Sequence, residues 1–439
     1  MLVFISDLHF VDGTAGEHNP PPQAFEYFFE DLVGIAHKKG NAIKEIKIVL
    51  LGDIFDLLRT EKWFGVPEDD RPWMNKGKIE ANALRILKGI INHQENQKAF
   101  DAIRTGMATL QGRCEKNSKC QLESPPRLFY IPGNHDRLCN QYSSLRAEVC
   151  ASLGIPREWH KDSYPFLHSH EDPRYGVFAR HGHEFDVYNY ESGKSYSEQD
   201  YERVPIGDPI TTELLARLPY ELGLRLERKG VPASERQDIK RRFQALDEVR
   251  PLGAVVEWLL FRIQDETSDI VQEAYDEAID SIVENFDQLE YVKIWYGIHG
   301  EPLKVDETDK IKSFLFILKN LKLSNLTTLL KYLDKAKDFF LKDDLLEAAP
   351  KEEALQDPYI RYVVYGHTHE PLTRALQSVQ GIGQVYLNSG TWRTRYFKAT
   401  QDNSFNNWKN MTYLIFYRED ERGTDFPGFE TWTGTLKTV

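Results

Sequence analysis

Five times along this chain an apolar run that reads as a β-strand stops at a short polar turn carrying Asp, His or Asn. The runs are Leu2–Ile5, Ile46–Leu51, Leu128–Tyr130, Tyr175–Arg180 and Arg361–Tyr365. The turns behind them hold Asp7 and His9, then Asp53, then Asn134 with His135, then His181, and finally His367 with His369. Such a pattern predicts a site built at strand ends. In the third turn, Gly133 lets the backbone bend without a Cβ penalty and sets an amide oxygen, an imidazole and a carboxylate (Asp136) side by side. One such turn means little, because Gly, Asn and Asp are common in turns for conformational reasons alone. The repetition is what carries weight.

Between the strands the spacing is helical. Phe25, Phe28, Phe29, Leu32, Ile35 and Ala36 predict a helix lying on a sheet, and the stretch from Ile79 to Leu110 has long helical character. The segment from Leu57 to Met74, with Arg59, Trp63, Phe64 and Trp73, reads either as a pocket wall or as a hydrophobic flap. Beyond Asp186 strand signals vanish for well over a hundred residues. Asp208-Pro209 predicts an N-cap and first-turn proline for a helix over Ile210–Leu218. Thr267-Ser268-Asp269 precedes a helix with an apolar side of Val271, Ala274, Tyr275, Ala278, Ile282 and Phe286, and Ile311–Leu333 adds two more helical stretches. These stripes predict the core of a helical insertion. Strands return at Arg361 and continue through Val385–Leu387 and Tyr413–Tyr417.

A chain of 439 residues exceeds what one compact core usually holds, so two structural units are expected. The division falls at residues 1–189 with 356–439 and at 190–355, the latter a helical insertion read as a cap. A net charge of −13 argues against a broad electrostatic footprint for DNA or RNA, while leaving room for a small anionic substrate. Cys114, Cys120, Cys139 and Cys150 contain no Cys-x-x-Cys pair and read as reduced thiols, with a Cys114–Cys120 bridge as the lesser alternative. No apolar run approaches membrane-spanning length, and no leader-like segment precedes the first strand. A soluble cytoplasmic protein is therefore the expectation; oligomeric state is not readable.

The collected ligands are imidazoles, carboxylates and one amide with no thiolate, a set that suits divalent Mn, Fe, Zn, Ni or Mg. They exceed the needs of one ion, and Asp53 can bridge two, the arrangement suited to displacement at phosphorus. At this point the sequence resembles the calcineurin-like metallophosphoesterase superfamily. Its blocks Asp-x-His, Gly-Asp-x-x-Asp, Gly-Asn-His-Asp, a lone His and Gly-His-x-His are all present in the family's order, over roughly residues 1–186 and 358–395. The resemblance implies a two-sheet α/β/β/α sandwich with a large, mainly helical insertion, and a dinuclear site at the strand carboxyl ends. It implies that Asp7, His9 and His369 hold one ion, that Asn134, His181 and His367 hold the other, and that Asp53 bridges. The ions are expected to be two divalent cations, Mn first, with Fe, Zn, Ni or Mg as alternatives. His135 corresponds to the family's catalytic histidine, expected to stabilise charge or protonate the leaving oxygen while Asp136 orients it. Asp56 and His183 are expected as partners of ligating groups, and the choice between His181 and His183 stays open because both flank Gly182. His18, His37, His93, His160, His168, His170 and His299 read as surface or packing residues, with Leu167–Asp172 a candidate for the site's rim.

The implied activity is dinuclear-metal-dependent hydrolysis of a phosphoester or pyrophosphate bond. Asp56-Leu57-Leu58 and Asp136 depart from the Ser/Thr protein phosphatase pattern. The wording around Leu51–Asp56, Trp63-Phe64 and Asn388–Trp392 is similar to the branch containing UDP-diacylglucosamine pyrophosphohydrolases. That branch commonly has Arg where His135 stands, and a smaller insertion. A small phosphorylated substrate is thus the first expectation; a nuclease of the same superfamily and a non-catalytic metal-binding scaffold are the alternatives.

Overall fold

A computed structural model describes residues 1–16, 19–39, 42–74, 77–116, 122–156, 166–191, 203–249, 254–265, 268–301, 306–320, 344–379, 381–402, 404–422 and 428–436. It is a mixed α/β structure with two mixed sheets. In the first sheet β1 (Leu2–Ile5), β2 (Lys47–Leu51) and β3 (Arg127–Ile131) run parallel, with Val3 opposite Ile48 and Ile48 opposite Leu128. In the second, β4 (Ser169–Asp172) pairs antiparallel with β5 (Val177–Arg180), and β5, β6 (Tyr362–Tyr365) and β8 (Ile382–Ser389) run parallel, with β7 (Pro371–Val379) antiparallel at the edge. The first sheet is completed by β9 (Thr394–Lys398), β10 (Phe405–Phe416) and β11 (Phe429–Leu436), β10 lying antiparallel to β1.

Alternation along each strand sets the layers. Leu2 and Phe4 of β1 join Val49, Leu51, Val177, Ala179, Val364 and Leu387 in an apolar cluster shared by the two sheets. Val3 and Ile5 face the other way, into a cluster with the helices Pro22–Lys39 and Gln94–Lys116. The far side of the second sheet, through Val363, Tyr365 and Tyr386, packs on Leu345 and Ala349. The layering is therefore helix, sheet, sheet, short helix. Two parallel triplets, β1-β2-β3 and β5-β6-β8, send their carboxyl ends to the same edge.

The expected helix from Ile79 is two helices, Ile79–Ile91 and Gln94–Lys116, broken at Asn92 and His93. From residue 207 to 319 the described elements are helical, and the predicted stripe of Val271, Ala274, Tyr275, Ala278, Ile282 and Phe286 is buried on one side of Asp269–Gln288. The second part of the Ile311–Leu333 expectation lies outside the described residues; its first part is the helix Glu307–Lys319. Asp208 is not an N-cap. It sits inside a short turn, Gly207–Pro209, that runs into a π-helical stretch, Ile210–Ala216, and its buried carboxylate is 2.9 Å from Arg137 Nη2. Among the described residues, the helical segment shares one apolar cluster with the first sheet and its helices. Trp258 meets Tyr396 at 5.8 Å between ring centroids, Phe64 meets Tyr220 at 5.0 Å, and Glu61 pairs with Lys240 at 2.5 Å. The Leu57–Met74 segment, expected as a pocket wall or as a flap on its own domain, packs against these helices, with Trp63 and Trp73 buried in the same cluster. Cys114, Cys139 and Cys150 are buried, and Cys120 is outside the described residues. Among the described residues no helix is long and apolar enough to cross a membrane.

Candidate metal centre

The turns beyond β1, β2 and β3 continue side by side after the strands end. Asp7 N–H donates to Gly52 O at 3.0 Å, His9 N–H to Asp53 O at 2.8 Å, and Leu57 N–H to His135 O at 3.3 Å. In the turns after β1 and β2 and in the one after β6, Asp7, His9, Asp53, His367 and His369 have left-handed backbones, with φ of 53°, 46°, 53°, 68° and 61°. Asp and His tolerate this region better than most side chains, yet each such residue costs on the order of 1–3 kcal/mol and persists only where its surroundings dictate it. Among the described residues these five are all the non-glycine residues with positive φ, and every one is a predicted ligand.

Three glycines explain how the turns close so tightly. A Cβ on Gly133 would lie 2.2 Å from Asp53 Oδ1, one on Gly52 would lie 2.3 Å from His181 Nδ1, and one on Gly366 would lie 2.6 Å from Asp7 Oδ2. Asp53, His181 and Asp7 therefore fill the space that side chains at these three glycines would take.

The ligands gather as overlapping groups. Asp7, His9, Asp53 and His369 form one set, and Asp53, His181 and His367 another, the candidate atoms of each lying within 4.8 Å of one another. Asp53 belongs to both. His369 Nε2 is 3.3 Å from Asp7 Oδ1, His9 Nε2 is 3.5 Å from Asp53 Oδ2, and His181 Nε2 is 3.2 Å from Asp53 Oδ2. His181 Nδ1 faces the Leu51 carbonyl at 2.8 Å, which sets Nε2 toward the site. His183 is not part of either set; its Nδ1 lies 3.6 Å from Glu184. Asn134 is buried beside these groups, and its Oδ1 has no hydrogen-bond partner. An isolated buried acceptor of this kind, next to carboxylates and imidazoles, fits a cation ligand.

The electrostatics follow from burial and proximity. Burial alone would raise the Asp7 and Asp53 pKa values, but the neighbouring imidazoles override it and hold both carboxyls well below the usual range. Burial would lower the His181 pKa, yet the Asp53 carboxylate lifts it to about 10. Burial and the charges of His181 and His367 push His183 well below the usual range.

One expected pairing is corrected. Asp136 does not orient His135: its Oδ2 accepts from Ile54 N–H at 2.9 Å and its Oδ1 from Gly133 N–H, so it holds two turns together. The carboxylate facing His135 is Asp56, whose Oδ1 is 3.1 Å from His135 Nδ1 and whose Oδ2 is 3.1 Å from His9 Nδ1. His135 is also fixed through its backbone, its N–H donating to Asp53 Oδ1 at 2.9 Å. Two residues went unnoticed in the sequence. Asp186 Oδ2 lies 3.0 Å from His367 Nε2, and Asn189 joins Asp186 to Asn134. Both lie in an ordinary polar stretch with no motif to flag them. The Leu167–Asp172 stretch divides: the charge of His168 reaches His183 beside the site, whereas His170 packs on Phe129 at 5.1 Å and Asp172 pairs with Lys47 at 2.6 Å at the opposite end of the strands.

Comparison with protein-family models and with curated protein sequences finds no match.

Proposed function

We propose that the protein is a phosphoesterase dependent on two divalent cations, acting on a small phosphodiester or a nucleotide-linked pyrophosphate. The observation that carries this reading is the place of Asp53 in both ligand groups, with histidines on either side and no thiolate. Asp7, His9, His369 and Asp53 would hold one cation, and Asn134, His181, His367 and Asp53 the other. Bound there, the pair would supply Lewis acidity at the phosphoryl oxygens and a lowered pKa for water. The chain's own residues do the rest. Asp56 Oδ1 lies 3.1 Å from His135 Nδ1, so that nitrogen faces the carboxylate and Nε2 is left as the atom that would serve a leaving oxygen. Asp136 keeps the His135 turn against the Asp53 turn, so donor and ligands stay in register. The charge of −13 favours a small substrate over a polyanion.

Bound metal and hydrolysis of bis(p-nitrophenyl) phosphate with added Mn²⁺ test this directly. Two cations per chain and Mn-dependent turnover are expected. Two cations with no turnover on diesters, nucleotide sugars or monoesters would make the chain a metal-binding scaffold, and preference for single-stranded DNA would make it a nuclease.

A further inference from the structure

We infer that Asp186 and Asn189 form a relay that fixes which atom Asn134 presents to the second cation; the inference rests on the function proposed above. An ionised carboxylate can only accept hydrogen bonds. Asp186 Oδ2 receives Asn189 Nδ2 at 2.7 Å, so the Asn189 amide must turn its NH₂ toward Asp186. Its carbonyl oxygen then faces the other way, where it accepts from Asn134 Nδ2 at 3.1 Å. That leaves Asn134 with its oxygen aimed away from Asn189, buried and without a hydrogen-bond partner.

The consequence is chemical. An amide oxygen is a ligand for a hard or borderline cation, whereas an amide NH₂ turned toward the cation would repel it. The two ends of an Asn amide have nearly the same shape, so packing alone distinguishes them poorly. A fixed negative charge two amides away distinguishes them well, because reversing Asn134 would put NH₂ against NH₂ or force Asn189 to offer its oxygen to a carboxylate. The same Asp186 oxygen lies 3.0 Å from His367 Nε2, so one carboxylate orients two expected ligands of one cation and none of those expected only for the other.

The helical segment presses on this relay. Gly207, which opens its first described turn, donates its N–H to Tyr188 O at 2.6 Å. A Cβ there would lie 2.5 Å from Asn189 Oδ1 and 2.6 Å from Tyr188 O, so Gly207→Ala must push the relay without altering any group in it.

The test is Mn²⁺ titration of the metal-stripped full-length protein, with free Mn²⁺ read by electron paramagnetic resonance and the fold by circular dichroism. Wild type should show two binding events. Asn189→Ala should weaken one of them by about 10- to 100-fold, the range for losing a partner of a metal ligand, and leave the other within about threefold. Gly207→Ala should weaken the same event, which keeps the idea testable if Asn189→Ala does not fold. Unchanged binding in the folded variants, or equal loss at both sites, would overturn the relay while leaving the function standing. A wild-type chain that takes up no divalent cation would overturn both.

Discussion

At the residue scale, Asp56 and His181 show how charge is set by what a side chain faces rather than by its type. His135→Ala removes the proposed proton donor and none of the proposed ligands. Turnover should fall by roughly 10²- to 10⁴-fold with metal content intact, and the loss should shrink on nitrophenyl esters, whose leaving group needs little protonation. Equal losses on good and poor leaving groups would contradict the acid role. His181 carries a second expectation. With its pKa lifted to about 10 by Asp53, against an ordinary value of 6.5, its ring is charged in the metal-stripped protein at pH 8. Its contribution to stability is then complete below about pH 6.5 and fades as pH rises through about 10. A cation needs the neutral ring, so loading at pH 8 should release protons. Calorimetry in two buffers of different ionisation enthalpy reads this as different apparent binding heats; identical heats would refute it. Asp136→Asn leaves one of two buried amides, Ile54 or Gly133, facing an NH₂. It should cost about 1–3 kcal/mol in denaturant unfolding, more than the same change at an exposed acid.

At the scale of single elements, the informative unit is the turn after each parallel strand. Left-handed Asp and His residues cluster there because glycines allow neighbouring turns to touch, and the touching turns impose the backbone. Gly133→Ala concentrates this logic in one methyl group, since its Cβ would meet Asp53 Oδ1 at 2.2 Å and the Asp53 backbone nitrogen at 2.6 Å. Asp53 has to move. The variant should lose both cations in metal analysis while keeping its strands by circular dichroism, and retention of two cations would show that the turn has slack the structure does not suggest. The turn fragments also explain what pattern reading missed. Strand alternation and ligand spacing are local, so β1, β2 and β5 and their trailing Asp and His residues stood out. The Asp56–His135 and Asp186–His367 contacts join residues 79 and 181 positions apart in sequence, and no local pattern encodes them.

For the whole molecule, the apolar cluster on the outer face of the first sheet runs through Phe25, Phe28 and Trp392 to Trp258, Tyr275 and Phe286. Charged pairs cross the same boundary, among them Lys398 with Glu257 at 2.8 Å and Arg71 with Glu213 at 2.9 Å. Parts that share one core lose it together. Calorimetric unfolding of the full chain should therefore show a single cooperative transition, and replacing residues 190–355 with a short Gly/Ser linker should lower its midpoint by exposing the flap around Trp63 and Trp73 and the face of the second sheet that Leu345 and Ala349 cover. Two resolved transitions would mean that the helices fold independently. The role of these helices as a cap that selects substrate is the proposal their position beside Asp208, Arg137 and the His135 turn makes reasonable to test with the same deletion.

The sequence by itself determined β1, β2, β3, β5, β6, β8 and the end of β10, the turns behind the first five of them, the composition of the ligand set and the helical run of the middle third, because each rests on periodicity or chemistry within a few residues; β4, β7, β9 and β11 were not read from it. It also held the glycines that make the turns possible. Tertiary structure alone gathered the two ligand groups around Asp53, which the sequence already marked as the bridge, and decided that Asp56 rather than Asp136 faces His135 and that Asp208 is a buried partner of Arg137 instead of a helix cap. It decided as well that the described part of the helical segment shares its core with the first sheet. The reason is common to all four: a carboxylate takes its role from the donors that surround it, and an apolar stripe from the surface that covers it. Both are fixed only when distant parts of the chain meet.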